Sequence, residues 1–108
     1  MITRPRWVAE CRLMANVFPQ FVPFTRDGTI GFSGGLRGKR TGRIYTVIIQ
    51  APAATYPEHE PAVYMNPRPE SHHWIQDGRL CVVRPWKPGQ STFANTVLVA
   101  AKYVAEFD

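Results

Sequence analysis

Long apolar runs are missing from this sequence. The longest, Val97-Leu98-Val99-Ala100-Ala101, stops at Lys102, far short of the roughly 18 residues that a membrane-spanning helix needs. Behind Arg4 and Arg6 the apolar residues are interrupted by Glu10 and Arg12, so no secretory leader is expected, and the chain reads as cytoplasmic with no membrane partner. Cysteine is scarce: Cys11 and Cys81 lie seventy positions apart, too few for a disulfide scaffold. Three histidines without a CxxC or HxxxH spacing give no zinc-type ligand set, and neither a metal nor another cofactor is expected. The glycine-rich stretch from Gly34 to Gly42 lacks the GK[ST] ending of a phosphate-cradling loop, which leaves nucleotide hydrolysis without support. Internal repeats and low-complexity tracts are missing too.

What is present is a globular composition, 44% apolar and 19% charged over 108 residues. That length suits a single domain spanning 1–108, able to remove roughly 60 to 68% of its unfolded surface from water, and it excludes a two-domain enzyme. The net charge of +5 is unevenly spread. Residues 1–54 carry eight basic and two acidic side chains, whereas 55–108 carry five and six. A basic N-terminal half favours an acidic partner surface or nucleic acid, but names no chemistry by itself.

Local patterns predict α+β architecture. Thr3 caps a helix to about Asn16, with Pro5 in its first turn and Trp7, Cys11 and Met14 on one face. Phe18-Pro19 ends it. Phe21–Phe24, a turn at Asp27-Gly28, Thr29–Phe32, a Gly-rich basic loop from Ser33 to Gly42, and Arg43–Gln50 then read as an antiparallel meander. β-Branched and aromatic residues make Arg43–Gln50 a central strand covered on one face by a helix. From Ala51 to Pro69 five prolines leave only Ala62–Met65 open to sheet pairing. Asp77-Gly78 marks another tight turn, Leu80–Val83 is extended, and Ser91 caps a last helix whose Phe93, Val97, Ala101 and Val104 face the sheet while Lys102 and Glu106 look out.

The segment Ser71-His72-His73-Trp74-Ile75-Gln76-Asp77-Gly78-Arg79-Leu80-Cys81 sets two histidines ahead of a cysteine across a tight turn. It admits three readings. One is a half-buried cysteine at a strand end with solvent-facing histidines. A second is a metal site, short of the four ligands that zinc usually takes. The third is a nucleophilic thiol flanked by polar groups that stabilise charge, as acyl transfer requires. Proline-rich chain before Cys81 and Pro85-Trp86-Lys87-Pro88-Gly89 after it place the thiol in a shallow groove on a rigid, loop-built surface, which favours the third.

Tyr56-Pro57, Pro61 and Val63, the histidine pair, Asp77-Gly78-Arg79-Leu80-Cys81, and Trp86 with Pro88 together resemble the ubiquitin-conjugating enzymes. Members of that family carry a YP..PP.V segment, an HPN tripeptide, a G-x-[IL]-C active site, and a tryptophan and proline beyond it. Gly35-Leu36 and Tyr45-Thr46-Val47-Ile48-Ile49 are similar to the family's G-x-[LF] and Y-x-V-x-I strands, so the resemblance covers nearly the whole chain. It implies a ubiquitin-conjugating-enzyme-like fold: N-terminal helix, antiparallel four-stranded meander, active-site loop and C-terminal helix. The chain departs from the family at HPN, whose three slots hold Ser71, His72 and His73. A short first helix and a single helix after the cysteine look like the compact bacterial branch. Its members accompany cyclic-nucleotide antiphage signalling operons of the CBASS type or other ubiquitin-like conjugation operons.

The resemblance implies that Cys81 accepts the C-terminal glycine of a ubiquitin-like protein, or of another such chain, as a thioester from an activating enzyme. An amine of a target protein then takes the acyl group, a nucleotide cyclase being one target such operons suggest. His73 becomes the expected oxyanion donor through an imidazole N–H. Asp77 is expected to orient the amine, although Asp before Gly is also what a turn selects. Trp86 and Pro88 shape the groove. His59 and His72 read as solvated, Cys11 as core, and Tyr56 as a structural residue whose hydroxyl finds a backbone partner. Arg37, Lys39, Arg40 and Arg43, with Arg4, Arg6 and Arg12, form a basic face that is either solvated or meets an acidic activating enzyme. Two other classes stand beside the enzyme. One is a non-catalytic binder of a ubiquitin-like partner, which the presence of Cys81 disfavours. The other is a basic nucleic-acid-binding domain, disfavoured because Phe32 and Tyr45 fall at expected core positions.

Overall fold

Thr3 opens the first helix as its sequence requires: its hydroxyl accepts the Arg6 N–H at 3.2 Å, and Pro5 occupies the first turn, where a missing N–H costs nothing. The computed structural model describes residues 1–69, 74, 78–81 and 85–108. Its elements are α1 (Arg4–Val17), β1 (Val22–Arg26), β2 (Thr29–Arg37), β3 (Ile44–Pro52), β4 (Ala62–Asn66) and α2 (Phe93–Phe107). The strands pair antiparallel in the order β1-β2-β3-β4, the expected meander with β3 inside it. Asp27 and Gly28 turn β1 into β2 with φ of 50° and 78°, a left-handed pair that Asp-Gly tolerates and that matches the twist of a hairpin.

Period-two alternation decides which side of the sheet is wet. Ile30, Phe32, Leu36, Tyr45, Val47, Ile49, Val63 and Met65 all point one way and are buried. Both helices cover that face: the Phe32 ring lies 5.2 Å from Phe93 of α2 and 5.3 Å from Trp7 of α1. The result is two layers, helices over one face of an antiparallel sheet. Met14 closes the α1 side of the core, and Phe93, Val97, Ala100 and Val104 close the α2 side. Lys102 and Glu106 face solvent as expected, and Cys11 packs half-buried against the core. Among the described residues no helix is long and apolar enough to cross a membrane.

Three local expectations need correction. β1 starts at Val22, and Phe21 is instead a buried residue of the preceding turn. β2 does not stop at Phe32 but continues to Arg37 through Gly34-Gly35. Gly34 faces inward, and a Cβ there would stand 2.7 Å from the Gln20 carbonyl and 2.8 Å from the Phe21 ring, so this glycine serves close packing inside a strand rather than a loop. The cap of α2 is Thr92, not Ser91. The Thr92 hydroxyl accepts the Asn95 N–H at 3.2 Å and the Asn95 side chain accepts the Thr92 N–H at 2.7 Å, a reciprocal capping box. Ser91 Oγ accepts the Lys87 N–H instead.

Candidate functional site

Leu80 fixes the position of Cys81. Its N–H donates to the Val63 carbonyl of β4 at 2.8 Å, it bridges to Trp74, and its side chain is buried in the core. The next residue along extended chain faces the opposite way, and Cys81 is exposed. Trp74 is held in turn by its indole N–H on the Pro69 carbonyl at 3.2 Å, by the Arg68 guanidinium over its ring, and by an edge contact of 5.6 Å with Tyr103 of α2. Gly78, at φ 88°, takes the left-handed turn just before this anchor.

The thiol borders an open depression of about 280 Å³ whose opposite wall is α2: Val99, Lys102, Tyr103, Glu106 and Phe107. The groove is therefore not built from loops alone, as the prolines suggested. One wall is a helix, and the two charges read only as outward-looking lie beside the cysteine. A second depression of about 220 Å³, sharing Val99, is lined by Pro85, Trp86 and the polar side chains of Gln90, Ser91, Asn95 and Thr96. Trp86, expected to shape the groove of Cys81 together with Pro88, lines this second depression instead, its indole N–H donating to the Pro57 carbonyl at 2.7 Å, and Pro88 lines neither of the two.

A buried ionic node holds this region from behind. Glu10 is 2% exposed, and its carboxylate accepts the Phe93 N–H at 3.0 Å, the Arg6 Nε–H at 3.0 Å and the Tyr56 hydroxyl. Arg6 reaches on to the Pro88 carbonyl at 3.0 Å and the Ser91 carbonyl at 2.8 Å, with its guanidinium over the Tyr56 ring. Burial, then the bond to Glu10, pushes the Tyr56 phenol far up. Burial works against the Arg6 cation, but Glu10 and Tyr56 outweigh it and hold the proton more firmly than usual. Two expectations fall here: the Tyr56 hydroxyl finds a carboxylate rather than a backbone group, and Arg6 turns inward instead of joining a basic face. A carboxylate at the end of α2 where N–H groups point outward also meets the helix dipole favourably. Sequence reasoning missed Glu10, although two signals mark it: the i,i+4 spacing from Arg6 and a place between Trp7 and Met14 on the apolar stripe.

At the other end of α2, Asp108 accepts the Tyr45 hydroxyl at 2.6 Å, the Thr41 hydroxyl at 2.8 Å and the Arg40 and Thr41 N–H groups at 3.0 and 3.1 Å. The Tyr45 bond leads in holding this carboxyl down to about 2. Arg40 is thus committed to the end of α2 as well, leaving the expected basic face smaller.

Of the expected site residues, Cys81 lies exposed where the groove reading wanted it. Ser71, His72, His73 and Asp77, together with Val82 and Val83, lie outside the described residues. Among the described residues no group of three or more His, Cys, Asp or Glu could hold a metal ion. No family model, no curated protein and no solved structure matches the chain.

Proposed function

We propose that this protein is a ubiquitin-conjugating-enzyme-like transferase in which Cys81 carries the C-terminal glycine of a ubiquitin-like protein as a thioester. The observation that carries the reading is the exposed Cys81 thiol, set one residue beyond the anchored Leu80 and against the α2 wall. The order α1, four-stranded meander, cysteine segment, α2 agrees with the family to which the motifs point. In the first step Cys81 Sγ attacks the activated carbonyl on the activating enzyme, whose own thiolate leaves. In the second an amine of the target attacks the new thioester, a C–N bond forms, the C–S bond breaks, Sγ leaves as thiolate, and the amine's proton passes to solvent.

A thioester is already activated, so the protein's share is to align the amine, limit water and stabilise the oxyanion, each worth a few kcal/mol. The amides and hydroxyls of Gln90, Ser91, Asn95 and Thr96 suit the main chain of an extended tail approaching Cys81. Lys102 and Glu106 set a cation and a carboxylate at the same depression. The oxyanion role of His73, the amine-orienting role of Asp77 and a setting in bacterial antiphage defence belong to the same proposal through the motif resemblance.

The test expresses the chain together with its neighbouring genes and follows adducts on gels. Wild type is expected to give a reductant-sensitive adduct, Cys81→Ser or Cys81→Lys a reductant-resistant one, and Cys81→Ala none. An adduct missing from wild type would leave the non-catalytic binding module as the better reading. A nucleic-acid shift falling steeply with salt would favour the basic-domain reading.

A further inference from the structure

The loop between β2 and β3 folds into a cradle around Asp108. Gly38 accepts the Gly42 N–H at 2.9 Å and gives its own N–H to the Arg43 carbonyl at 2.8 Å, so the loop closes on itself. The Arg40 and Thr41 N–H groups both end on Asp108 Oδ2, at 3.0 and 3.1 Å, and the Thr41 and Tyr45 hydroxyls on Oδ1, at 2.8 and 2.6 Å. The Arg40 guanidinium takes the main-chain oxygen, at 3.1 and 2.5 Å. Three oxygens of one residue thus collect six hydrogen bonds. Gly38 makes the room, since a Cβ there would stand 2.2 Å from the Asp108 carboxyl group. Successive N–H groups turned onto one oxygen are an anion nest, and its occupant is the chain's own carboxylate. The low Asp108 carboxyl value, led by the Tyr45 bond, agrees with a site that prefers an anion.

We propose that this cradle is a receptor for a phosphoryl group, in which Asp108 stands in for the ligand and is displaced by it. Charge and oxygen count decide the class. Arg37, Lys39, Arg40 and Arg43 fall within seven residues that hold no Asp or Glu. Beside the Asp108 bond that dominates the Tyr45 phenol, Arg43 and Arg40 both act on it, which brings a second guanidinium near the cradle. A phosphoryl monoester carries a charge of about −1.5 to −2 on three acceptor oxygens, and the cradle grips three. A carboxylate from outside brings one charge on two oxygens and has no advantage over tethered Asp108. A nucleic-acid phosphodiester has only two free oxygens and one charge. The end of α2 answers to the same site. Glu106 and Phe107, just before Asp108, line the depression beside Cys81, so a ligand in the cradle reshapes the wall opposite the thiol, whatever chemistry that thiol performs.

The test titrates inorganic phosphate, glycerol 3-phosphate and acetate into the full chain by calorimetry at low salt, and follows the amide NMR signals. Wild type is expected to take one phosphoryl ligand, with Arg40, Thr41, Glu106, Phe107 and Asp108 shifting together. Asp108→Ala, freed of the internal competitor, should bind phosphate at least about tenfold tighter, and Asp108→Asn should gain in the same direction. Adding Gly38→Ala or Arg40→Ala to Asp108→Ala should cost at least about tenfold. Arg40 is exposed, so its loss reads binding alone should Gly38→Ala disturb the fold. Arg4→Ala, which removes an exposed cation of α1, should leave binding nearly unchanged. A preference for the free anion or for the ester names the source of the group, and either upholds the receptor. Equal affinity in wild type and Asp108→Ala, acetate binding as tightly as phosphate, an Arg4→Ala loss matching that of Arg40→Ala, loop signals that move without the α2 end, or no binding to Asp108→Ala would overturn the proposal.

Discussion

Replacing Glu10 by Ala would strand two buried donors at once, the Tyr56 hydroxyl and the Phe93 N–H, and would take its carboxylate from the half-buried Arg6, which keeps the Pro88 and Ser91 carbonyls. Removing one partner of a buried charge pair costs about 3–5 kcal/mol. Glu10→Gln keeps an acceptor oxygen, so its loss should be clearly smaller, and urea midpoints of the two variants measure the difference. Asp108 supplies a pH signature. Its folded carboxyl value of about 2 lies below the usual aspartate value of about 3.9. The bonds it accepts therefore add stability that is complete above about pH 4 and disappears as pH falls through about 2. Tyr45→Phe, which deletes the leading bond, should raise the Asp108 titration toward the ordinary value. A carboxyl-carbon NMR titration reads this directly, and a titration unmoved from about 2 would contradict the assignment. Glu10 shows why such residues hide in a sequence. A glutamate one turn after an arginine reads as helix-surface charge until its place on the apolar stripe is weighed, and the distant partners Tyr56 and Phe93, which no local pattern shows, complete its core setting.

The elements that could be read in advance are those whose signal is local. Thr3 before Pro5 fixed the start of α1, Asp27-Gly28 the first hairpin turn, and the stripe Phe93, Val97, Val104 the inward face of α2. The missed boundaries depend on neighbours remote in sequence. Gly34-Gly35 reads as loop until the Phe21 ring is seen against Gly34, and Ser91 competes with Thr92 until Lys87 is seen to claim the serine hydroxyl. The correction at α2 has its own check. Thr92→Ala should cost about 1 kcal/mol, the usual value for a lost N-cap, and more than Ser91→Ala, whose hydroxyl bonds a loop amide. Thermal midpoints with the order reversed would restore Ser91 as the cap.

For the whole molecule, the net charge could be read from the sequence but its distribution could not. Arg6 is drawn inward by Glu10, and Arg40 is occupied by Asp108. Cys81 stood out through its motif and flanking prolines, whereas the helix opposite it belongs to chain some twenty residues later, a contact that no local pattern announces. One core joins both helices and the sheet, and Trp7, Trp74 and Trp86 all pack against it. Unfolding should therefore be a single cooperative event, in which tryptophan fluorescence and far-UV circular dichroism trace superimposable urea transitions. Separated midpoints would mean that the cysteine-bearing segment melts apart from the sheet.

The pairing of Leu80 with Val63 also ties the thiol's fate to parity. Neighbouring residues of extended chain point to opposite sides, so a slip by one position against β4 would exchange the two side chains, turning the leucine to water and the sulfur toward the interior. A single misstep would cost the protein an apolar anchor and conceal its nucleophile together.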